Sequence, residues 1–554
     1  MKGAKIVMEC LLEQGVDSVF GYPGGTILNI YDALYEYKDK IKHYLTSHEQ
    51  GASHAADGYA RVSGKTGVCF ATSGPGATNL VTGLATAYMD SIPVVAITCN
   101  VAKSLLGRDT FQEVDIAGIT MPITKHNYIV NNVEELADII REAFYIARSG
   151  RPGPVLIDIP KDITVAECDF ANKPLREYTP CIKSPESEFN RAVNRINKAV
   201  APMIIAGGGV IMSDACNQLY EFTKKLNCPI TNTLMGLGSF PQNEKNFTGM
   251  VGMHGTKASN YAVTNCDLLI AIGMRFSDRV TSDTSKFARN AKILHIDIDP
   301  AEINKNVKIN YELIGDAKLI LQKLLPVIEQ KTNDAWINQI AELKGNRVNL
   351  DSPYSELNPQ YVLESLRQKL DDEAIITTEV GQNQMWTAQY FKFNKPRRLI
   401  TSGGLGTMGF GTGASIGAKI ASPSSRVISI AGDGSFRMNC NELATVDHYG
   451  LPIIYVILNN QTLGMVRQWQ TLFYGKRYSE TTLDRGPDFK KLAEAYNIKG
   501  YQVDTKEQFE IAIEEALNSN KAAVIDCRIV TDECVLPMVA PGSPIQKIIT
   551  EISD

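Results

Sequence analysis

An apolar run that leads into a glycine-rich turn occurs in three separate parts of the chain. The runs are GVCFA at residues 67–71, PMIIA at 202–206 and VISIA at 427–431, and the turn after each contains at least two glycines. A helical stretch and a second apolar run follow each turn. Apolar runs without alternation are typical of parallel strands covered on both faces, and strand–turn–helix–strand units form parallel sheets with right-handed crossovers. The sequence therefore predicts an α/β protein built from doubly wound parallel sheets.

Two polar, turn-rich stretches divide the chain, at residues 171–188 and 331–358, and the second contains a short predicted helix. A chain of 554 residues is long enough for about three domains. We therefore predict three α/β domains, at residues 1–170, 189–330 and 359–540.

The first and third parts share a further pattern. Leu84-Ala-Thr86 and Leu443-Ala-Thr445 occupy the same place in the helical stretch after the turn, and a proline precedes the next apolar run in both. Repetition of one supersecondary unit indicates related structures. We expect the first and third domains to be structural relatives.

The charge and the cysteine content exclude several classes of protein. With a formal net charge of −5, the chain lacks the positive field that favours nucleic acid or an anionic membrane. Its eleven cysteines occur without a C-x-x-C pair, which argues against a zinc knuckle or dithiol redox site and fits a reducing cytoplasm. The first 20 residues are typical of an amphipathic helix rather than a signal peptide, and no run of about 18 apolar residues predicts a membrane span. We expect a cytoplasmic protein that holds any anionic ligand at a local site.

The turn after VISIA carries the strongest chemical signal. Asp433 stands between Gly432 and Gly434, and 24 residues separate Gly434 from the pair Asn459-Asn460 at the end of the next apolar run. Glycines at a helix start let a phosphate approach the backbone, and carboxylate, amide, carbonyl and phosphate oxygens suit octahedral Mg²⁺. The alternative is a plain glycine turn and a strand that ends in two asparagines. The spacing, with a strand before each half, favours a site for Mg²⁺ and a diphosphate.

This pairing resembles the diphosphate-binding motif of thiamin-diphosphate enzymes. The resemblance implies that Asp433 and Asn460 ligate Mg²⁺ together with the backbone carbonyl of Thr462. It also implies that the first domain binds the pyrimidine of thiamin diphosphate and the third domain binds its diphosphate. Two related domains would then hold opposite ends of one cofactor.

Glu49, in SHEQGASHAADGYAR, lies at the predicted start of a helix. By position alone, a glutamate there is usually a cap or a partner of the helix dipole. In the enzymes that this chain resembles, a glutamate in this context hydrogen-bonds the pyrimidine ring and favours the imino tautomer, which removes the thiazolium C2 proton. Such a cofactor carries the carbanion chemistry, and the protein sets its tautomer and shape. The resemblance therefore implies a catalytic role for Glu49.

Motifs along essentially the whole chain are similar to those of the acetohydroxyacid synthases, also called acetolactate synthases. They are YPGG at 22–25, TSGPGATN at 72–79, FQE at 111–113, SGRPGPVLIDIPKD at 149–162, RFSDRVT at 275–281, GGLGTMGFG at 403–411 and NNQTLGMVRQWQTLFYGKRYS at 459–479. The implied activity is decarboxylation of pyruvate and ligation of the two-carbon fragment to pyruvate or 2-oxobutanoate, as in branched-chain amino acid biosynthesis.

The resemblance also implies roles for individual residues. Met408 keeps the cofactor bent, and the Gly406 carbonyl accepts a hydrogen bond from the aminopyrimidine. Trp469 packs against the extra methyl of the second oxo acid, and Arg279 binds its carboxylate, for which a guanidinium is well shaped. Together with Glu49 and Gln112, the side chains of Met408, Trp469 and Arg279 form the implied catalytic set. The other implied thiamin-diphosphate contacts are Gly25, Pro75, Asn79, Phe111, Val380, Gln382, Gly432, Gly434, Ser435 and Met465.

The middle domain resembles the FAD-binding domain of the same family. Its glycine turn lacks the full G-x-G-x-x-G pattern, so the glycines alone are a weak signal. HIDID at 295–299 follows a predicted strand, at whose end an acidic group can meet a ribose hydroxyl. The resemblance implies that FAD is retained although the reaction transfers no net electrons. The implied FAD residues are Arg151, Gly207, Gly208, Gly209, Thr233, Met253, His254, Arg275, Asp297 and Asp316.

Two other functions are compatible with parts of this pattern. An FAD-dependent pyruvate oxidase has the same architecture, but the GMVRQWQ segment argues against it. A non-enzymatic nucleotide-binding module would require Glu49, Asp433 and Asn460 to be coincidental. The resemblance further implies a homodimer or tetramer with the active site between subunits, and it leaves room for a separate regulatory subunit. Three positions depart from the family pattern: Ser277, Asn383 and Arg437.

Overall fold

The computed structural model describes residues 1–345 and 357–552, so the part of the second predicted linker from 346 to 356 lies outside the described residues. The described chain contains three six-stranded sheets, and neighbouring strands within each of them run parallel. Helices follow the strands in alternation. The predicted fold class, three doubly wound parallel-sheet domains, is confirmed.

The first sheet has the strand order β2-β1-β3-β4-β6-β5. Its strands are β1 (Ser18–Gly21), β2 (Lys42–Leu45), β3 (Gly67–Ala71), β4 (Val94–Asn100), β5 (His126–Ile129) and β6 (Val155–Pro160). The helices of this domain are α1 (Gly3–Glu13), α2 (Leu28–Glu36), α3 (Glu49–Ser63), α4 (Pro75–Thr78), α5 (Val81–Asp90), α6 (Ile116–Thr120), α7 (Val133–Arg148) and α8 (Lys161–Val165).

The middle sheet has the order β12-β11-β10-β7-β8-β9, which reverses direction between β7 and β10. In doubly wound sheets, ligands bind beside such a reversal, at the carboxyl ends of the strands. Its strands are β7 (Pro202–Ala206), β8 (Ile230–Asn232), β9 (Phe247–Met250), β10 (Leu268–Ile272), β11 (Lys292–Asp297) and β12 (Tyr311–Ile314). The helices are α9 (Glu186–Lys198), α10 (Gly208–Met212), α11 (Cys216–Leu226), α12 (Lys257–Asn265), α13 (Asp278–Thr281), α14 (Ala317–Leu324) and α15 (Asp334–Gly345).

The third sheet has the order β14-β13-β15-β16-β18-β17. Its strands are β13 (Ile375–Thr378), β14 (Leu399–Ile400), β15 (Val427–Gly432), β16 (Ile453–Asn459), β17 (Lys499–Val503) and β18 (Ala523–Arg528). The helices are α16 (Pro359–Lys369), α17 (Gln382–Tyr390), α18 (Phe410–Ala421), α19 (Asp433–Asn439), α20 (Leu443–His448), α21 (Gly464–Phe473), α22 (Phe489–Ala495) and α23 (Lys506–Ser519). A short antiparallel pair follows, β19 (Met538–Val539) with β20 (Ile548–Ile549).

The first and third sheets have the same topology, because each strand of the third occupies the place of its counterpart in the first. The predicted structural relation between these domains is therefore confirmed. Their central strands β3 and β15 are almost wholly buried, as expected of apolar runs with helices on both faces.

The first and third domains pack on each other through α3 and α18. A Cβ added at Gly58 would lie 2.2 Å from the Ala414 carbonyl oxygen, and one added at Gly417 would lie 1.8 Å from that of Ala55. Since real side chains do not tolerate such distances, glycine at both positions lets the two helix backbones touch. This contact joins the domains within one chain and fixes the position of Glu49, the first residue of α3.

The helix predicted at the N-terminus and the short helix predicted in the second polar stretch are both present. The predicted N-terminal amphipathic helix is α1, and it buries Ile6, Val7 and Leu11. The short helix in the second linker is α15, which Trp336 anchors by donating from its ring N–H to the Pro202 carbonyl at 3.0 Å. In the described part of the chain, every helix is too short or too polar to cross a membrane.

Candidate active site

The glycine turn and the asparagine pair meet at one edge of the third sheet. β15 ends at Gly432 and α19 begins at Asp433, while the neighbouring strand β16 ends at Asn459. The backbone N–H of Asn460 interacts with the Asp433 carboxylate. These residues are far apart in the sequence but lie close together in space, because β15 and β16 are neighbouring parallel strands.

Asp433 is a buried carboxylate that forms no ion pair among the described residues, although the nearby charge of Arg437 partly offsets the effect of burial on its pKa. Asp433 is only 4% exposed, and its Oδ1 atom has no hydrogen-bond partner among the described residues. Burial raises the pKa of Asp433 to about 7. A buried carboxylate is costly unless a cation or donors compensate it, so this atom is suited to bind a cation.

Further oxygen donors surround Asp433. Asn460 donates from Nδ2 to Gln382 Oε1 at 3.0 Å, which leaves its own amide oxygen for a metal. Thr462 is fixed because its hydroxyl donates to the Thr481 carbonyl at 2.6 Å. Among the described residues no group of three His, Cys, Asp or Glu side chains is placed to hold a metal. One carboxylate with amide and carbonyl oxygens matches the donors that Mg²⁺ takes together with phosphate oxygens.

The glycines of the turn leave room beside these donors. A Cβ added at Gly434 would lie 2.8 Å from Leu463 and 4.0 Å from Met408 Cε. Ser435 donates from its hydroxyl to the Gly432 carbonyl at 3.2 Å, which fixes the start of α19. The implied residues Gly432, Gly434, Ser435 and Met408 are thus brought together around the turn.

Gln382, which accepts from Asn460, is itself fixed by two hydrogen bonds. Its Nε2 atom donates to Gln468 Oε1 at 3.0 Å and to the Glu533 carbonyl at 2.8 Å. Gln468 in turn accepts from the backbone N–H of Val535 at 2.8 Å. Sequence analysis missed Gln468, since its polarity becomes informative only when its buried partners are known.

Asn383, one of the three departures from the family pattern, has a structural role. Its Nδ2 atom donates to the carbonyls of Glu379 and Ile430, at 3.0 and 3.1 Å. It therefore ties the end of β13 to β15 beside the glycine turn.

The segment 401–409 carries Gly406 and Met408. Gly406 is left-handed, with φ +71°, and a Cβ added there would lie 3.9 Å from Val380. Glu379, which sequence analysis also missed, accepts from the backbone N–H groups of Gly409 and Thr412 at 2.6 and 3.2 Å. Complete burial raises the pKa of Glu379 to about 7. This carboxyl anchors the segment to the start of α18.

Glu49 lies in a second group, whose hydrogen bonds to Glu49 come from the first domain. It is buried, its Oε2 accepts from Asn79 Nδ2 at 2.9 Å, and its Oε1 lies 3.1 Å from where a Cβ would be at Gly76. Gln112 is left-handed, with φ +60°, and packs on Gly74. Its neighbour Phe111 is 86% exposed.

Several other large apolar side chains of this domain are exposed as well. They include Tyr22, Leu28, Ile119 and Met121. Gly25 is open, with no atom within 4 Å of an added Cβ, and Pro75 begins α4 beside the Glu49 group. Among the described residues, no hydrogen bond joins the Glu49 group to the Asp433 group within the chain.

A large cavity lies where the three domains meet. Its volume is about 820 Å³, within the range of sites that enclose organic cofactors. Of the ten implied FAD residues, nine line it, and Gly207 does not. Val380, Gly406, Met465 and Trp469 of the third domain line the same cavity, as does Arg279 of the middle domain.

The glycine turn at one wall of this cavity permits a close backbone contact. A Cβ added at Gly207 would lie 2.3 Å from the Gly273 carbonyl oxygen, and one added at Gly209 would lie 2.7 Å from the Gly273 Cα. Asp316 accepts from the backbone N–H of Leu319 and so caps α14. These contacts explain the glycines and Asp316 structurally, independently of any ligand.

Polar groups of the cavity include some without partners. Burial lowers the pKa of His254 to about 4, and its Nδ1 atom has no hydrogen-bond partner among the described residues. Arg151 is held by Glu302 and by the Ser91 hydroxyl, both at 2.8 Å. Burial lowers the pKa of Arg275, and the positive charge of the nearby Arg151 lowers it further. Two arginines and an unpaired imidazole suit an anionic, hydrogen-bonding ligand.

Arg279 and Trp469 come together at the end of the cavity next to α21. The Arg279 guanidinium carbon lies 5.9 Å from the centre of the Trp469 ring, and Trp469 packs edge-on against Phe473. Arg279 is largely exposed and pairs with Asp278 at 3.3 Å. The Trp469 ring N–H has no hydrogen-bond partner among the described residues. An arginine beside an indole can bind a carboxylate that carries an apolar substituent.

Comparison with protein families agrees with this three-domain layout. Residues 1–119 match the family "Thiamine pyrophosphate enzyme, N-terminal TPP binding domain". Residues 189–324 match the central domain of these enzymes, and residues 379–527 match their C-terminal TPP binding domain.

Relatives are similar over nearly their whole length. The chain is 49% identical to the probable acetolactate synthase large subunit of Methanocaldococcus jannaschii, covering 100% of this chain and 96% of the relative. It is 47% identical to the acetolactate synthase isozyme 2 large subunit of Escherichia coli, with 100% of both chains covered. It is 45% identical to the acetolactate synthase large subunit of Cyanidium caldarium, covering 98% and 95%. The chain therefore belongs to the acetolactate synthase large-subunit family of thiamine pyrophosphate enzymes.

Proposed function

We propose that this protein is an acetolactate synthase, which decarboxylates pyruvate and ligates the two-carbon fragment to pyruvate or 2-oxobutanoate. The observation that carries the proposal is the buried Asp433 carboxylate beside Asn460, whose Oδ1 atom has no hydrogen-bond partner among the described residues. Arg279 and Trp469 line the large cavity, which also reaches Gly406 and Met465 of the third domain. The products, 2-acetolactate and 2-aceto-2-hydroxybutanoate, are those of branched-chain amino acid biosynthesis. Thiamin diphosphate, when bound, supplies the nucleophilic carbon that this chemistry requires.

The chain's own residues bind and orient the reactants in this proposal. Asp433, Asn460 and the Thr462 carbonyl hold Mg²⁺, which neutralises the diphosphate. Glu49 accepts a hydrogen bond from the pyrimidine and sets its tautomer. Gly406 and Met408 hold the other face of that ring, and the glycines at 432 and 434 admit the diphosphate.

FAD is the ligand that we propose for the large cavity. Support comes from its volume of about 820 Å³, from the arginines Arg151 and Arg275, and from the neutral His254 with a free ring nitrogen. Asp297 is the last residue of β11, and we propose that it meets a ribose hydroxyl of this ligand. No electron transfer to the flavin is part of the proposed reaction.

Product analysis tests this proposal against the pyruvate oxidase alternative. The protein would be incubated anaerobically with pyruvate, Mg²⁺, thiamin diphosphate and FAD, without an electron acceptor. A synthase forms acetolactate and CO₂ under these conditions. Acetate or acetyl phosphate that appears only with oxygen or another acceptor would identify an oxidase.

Replacement of Trp469 by leucine is expected to reduce selection of the second substrate and to spare the first half-reaction. Pyruvate and 2-oxobutanoate differ by one methylene, which a packed pocket discriminates by about 1–3 kcal/mol, or roughly 10–200-fold. With both oxo acids present, Trp469→Leu should lower the ratio of acetohydroxybutanoate to acetolactate. Arg279→Ala should depress both products with a smaller change of ratio, because both acceptors carry the carboxylate.

Phe473→Leu is the matched control, since Phe473 touches Trp469 from the same helix. This variant perturbs the packing of the indole and keeps the indole itself, so its product ratio should stay near that of the wild type. An unchanged ratio in Trp469→Leu with a reduced total rate would make Trp469 a packing residue.

The exposed apolar side chains around Glu49 support a site between two chains. Phe111, Tyr22, Leu28 and Met121 of the first domain are each exposed, and a second copy could cover them. We propose a homodimer, or a tetramer built from two such dimers, in which Glu49 of one chain faces the Asp433 group of the other.

Mixing two inactive variants tests this arrangement. Glu49→Gln and Asp433→Ala chains should recover activity when mixed, because a hybrid dimer has one site with both residues intact. Asp433→Ala mixed with Asn460→Ala is the control, since both changes lie in the third domain and every hybrid site is then defective. If verified subunit exchange restores no activity in the first mixture, each chain builds its own site.

Other partners follow from the family. The relatives are named large subunits, so we propose that a separate small subunit regulates this chain. Eleven free thiols support a reducing location such as the cytoplasm.

A further inference from the structure

α5 ends in a carboxylate that reaches from the first domain into the third. Asp90 Oδ1 accepts from the backbone N–H of Gly404 at 2.7 Å, and Oδ2 accepts from that of Gly403 at 3.1 Å. The Asp90 side chain is fully buried. A Cβ added at Gly404 would lie 2.7 Å from Asp90 Oδ1, so this contact leaves no room for a side chain.

The charge of Asp90 is balanced by Arg61 of α3. Arg61 donates to Asp90 Oδ2 at 2.9 Å, to Asp57 Oδ1 at 2.5 Å and to the Thr401 carbonyl at 2.9 Å, and its side chain is 6% exposed. A carboxylate at the C-terminal end of a helix opposes the helix dipole, and a buried ion pair adds little net stability. The stability of α5 therefore does not explain why a carboxylate stands at position 90. The hydrogen bonds that Asp90 accepts from residues 403 and 404 do explain it.

A second contact from α5 holds the same segment. The Thr86 and Thr407 hydroxyls are 2.7 Å apart, and Thr407 donates from its backbone N–H to the Ser402 hydroxyl at 3.0 Å. The segment is thus tied to α5 before and after Gly406, which adopts φ +71° between the two contacts. Gly406 itself is exposed to the cavity.

We infer that Asp90 is a positioning residue for the cofactor. Held by Arg61, it fixes Gly403 and Gly404 so that the Gly406 carbonyl and Met408 are presented to the aminopyrimidine. The inference rests on the proposed binding of thiamin diphosphate to this segment. Asp90 takes no part in proton transfer or bond formation, and its effect is on affinity and on the orientation of the bound ring.

Asp90→Asn tests the inference. The amide has nearly the same shape, but it loses the charge and turns an N–H group toward either Arg61 or the glycine N–H groups. Losing charge-assisted hydrogen bonds should raise the Kd for thiamin diphosphate by about 10-fold or more. The titration uses the whole protein with saturating Mg²⁺ and FAD, so that any change in flavin binding does not contribute. At saturating cofactor, kcat should fall with little change in the KM for pyruvate.

Asp57→Asn is the matched control. It removes the other buried carboxylate on Arg61 and does not touch the segment 401–409. Both variants should unfold at lower temperature, and only Asp90→Asn should lose cofactor affinity. Equal losses in the two variants, or a wild-type Kd in Asp90→Asn, would overturn the inference.

A second variant covers the case in which Asp90→Asn does not fold. Gly404→Ala places a Cβ 2.7 Å from Asp90 Oδ1 and so disturbs the same contact from the other side, which should also raise the Kd. A wild-type Kd in Gly404→Ala would then overturn the inference. If the wild-type chain itself binds no thiamin diphosphate, the proposed function fails first.

Discussion

Replacement of Asp433 by alanine is expected to abolish Mg²⁺-dependent binding of thiamin diphosphate. Asp433 is the carboxylate at the turn where β15 meets β16, and its Oδ1 has no hydrogen-bond partner among the described residues. Without it, the metal has only neutral oxygen ligands from the protein, and the charge of the diphosphate is uncompensated. Asp433→Asn, which keeps one oxygen and loses the charge, should bind more weakly than wild type and better than Asp433→Ala.

The pH dependence of binding should follow the same carboxyl group. Burial raises the pKa of Asp433 to about 7, whereas a metal requires the carboxylate. Cofactor binding should therefore weaken as the pH falls below about 7, with release of a proton on binding. In Asp433→Asn this part of the pH dependence should be lost.

The stability of the cofactor-free protein separates a binding defect from misfolding. Since the folded state raises the pKa of Asp433, its contribution to stability is complete at low pH and is lost as the pH rises through about 7. At pH values above that, Asp433→Ala without cofactor should be no less stable than wild type. Equilibrium titration and thermal unfolding measure the two effects. Wild-type affinity in Asp433→Ala would contradict the metal assignment.

Replacement of Glu49 by glutamine is expected to leave folding intact and to slow deprotonation at the cofactor C2 atom. The amide keeps the shape and accepts from Asn79 as the carboxylate does, but it loses the basicity that favours the imino tautomer. Groups that move or direct a proton in this way contribute about 10²–10⁴-fold. Hydrogen–deuterium exchange at C2 of the bound cofactor measures the effect directly.

Glu442→Gln distinguishes catalysis by Glu49 from support of the helix end. Glu442 accepts from the backbone N–H groups of Ser47 and His48, just before α3 begins. It therefore has the structural role that a glutamate at a helix start usually has. Exchange should slow much less in Glu442→Gln than in Glu49→Gln. An exchange rate in Glu49→Gln equal to wild type would remove the catalytic role.

Much of the fold follows from local patterns in the sequence. Unbroken apolar runs such as VISIA, followed by glycine turns, are sufficient to predict parallel sheets, because strands buried on both faces require covering helices. The match between the first and third sheets also follows, since the same pattern recurs at Leu84-Ala-Thr86 and Leu443-Ala-Thr445. The meeting of Asp433 and Asn460 was predictable for a related reason: parallel strands place their carboxyl ends at one edge of a sheet.

Contacts between distant segments depended on the tertiary structure. Asp90 accepts a hydrogen bond from the backbone N–H of Gly404, 314 positions away in the sequence, and Glu379 accepts one from that of Gly409. Neither carboxylate lies in a pattern that marks a site, because its partners are backbone N–H groups, which every residue type supplies. The pairing of Arg279 with Trp469 in one cavity likewise required the middle and third domains to be packed together.

The sequence by itself determined the fold class, the related first and third domains, and the family. The residues of the glycine turn and of its asparagine pair were also evident in it, since their chemistry depends on residue type and on position along neighbouring strands. The tertiary structure alone decided that Asp433 is buried with one oxygen that no described donor reaches, and that Asp90 and Glu379 bind backbone N–H groups within residues 403–412. It also showed that, among the described residues, no hydrogen bond joins the surroundings of Glu49 to those of Asp433. Burial and long-range hydrogen bonding arise when separate elements exclude water together, and no single segment of sequence contains that information.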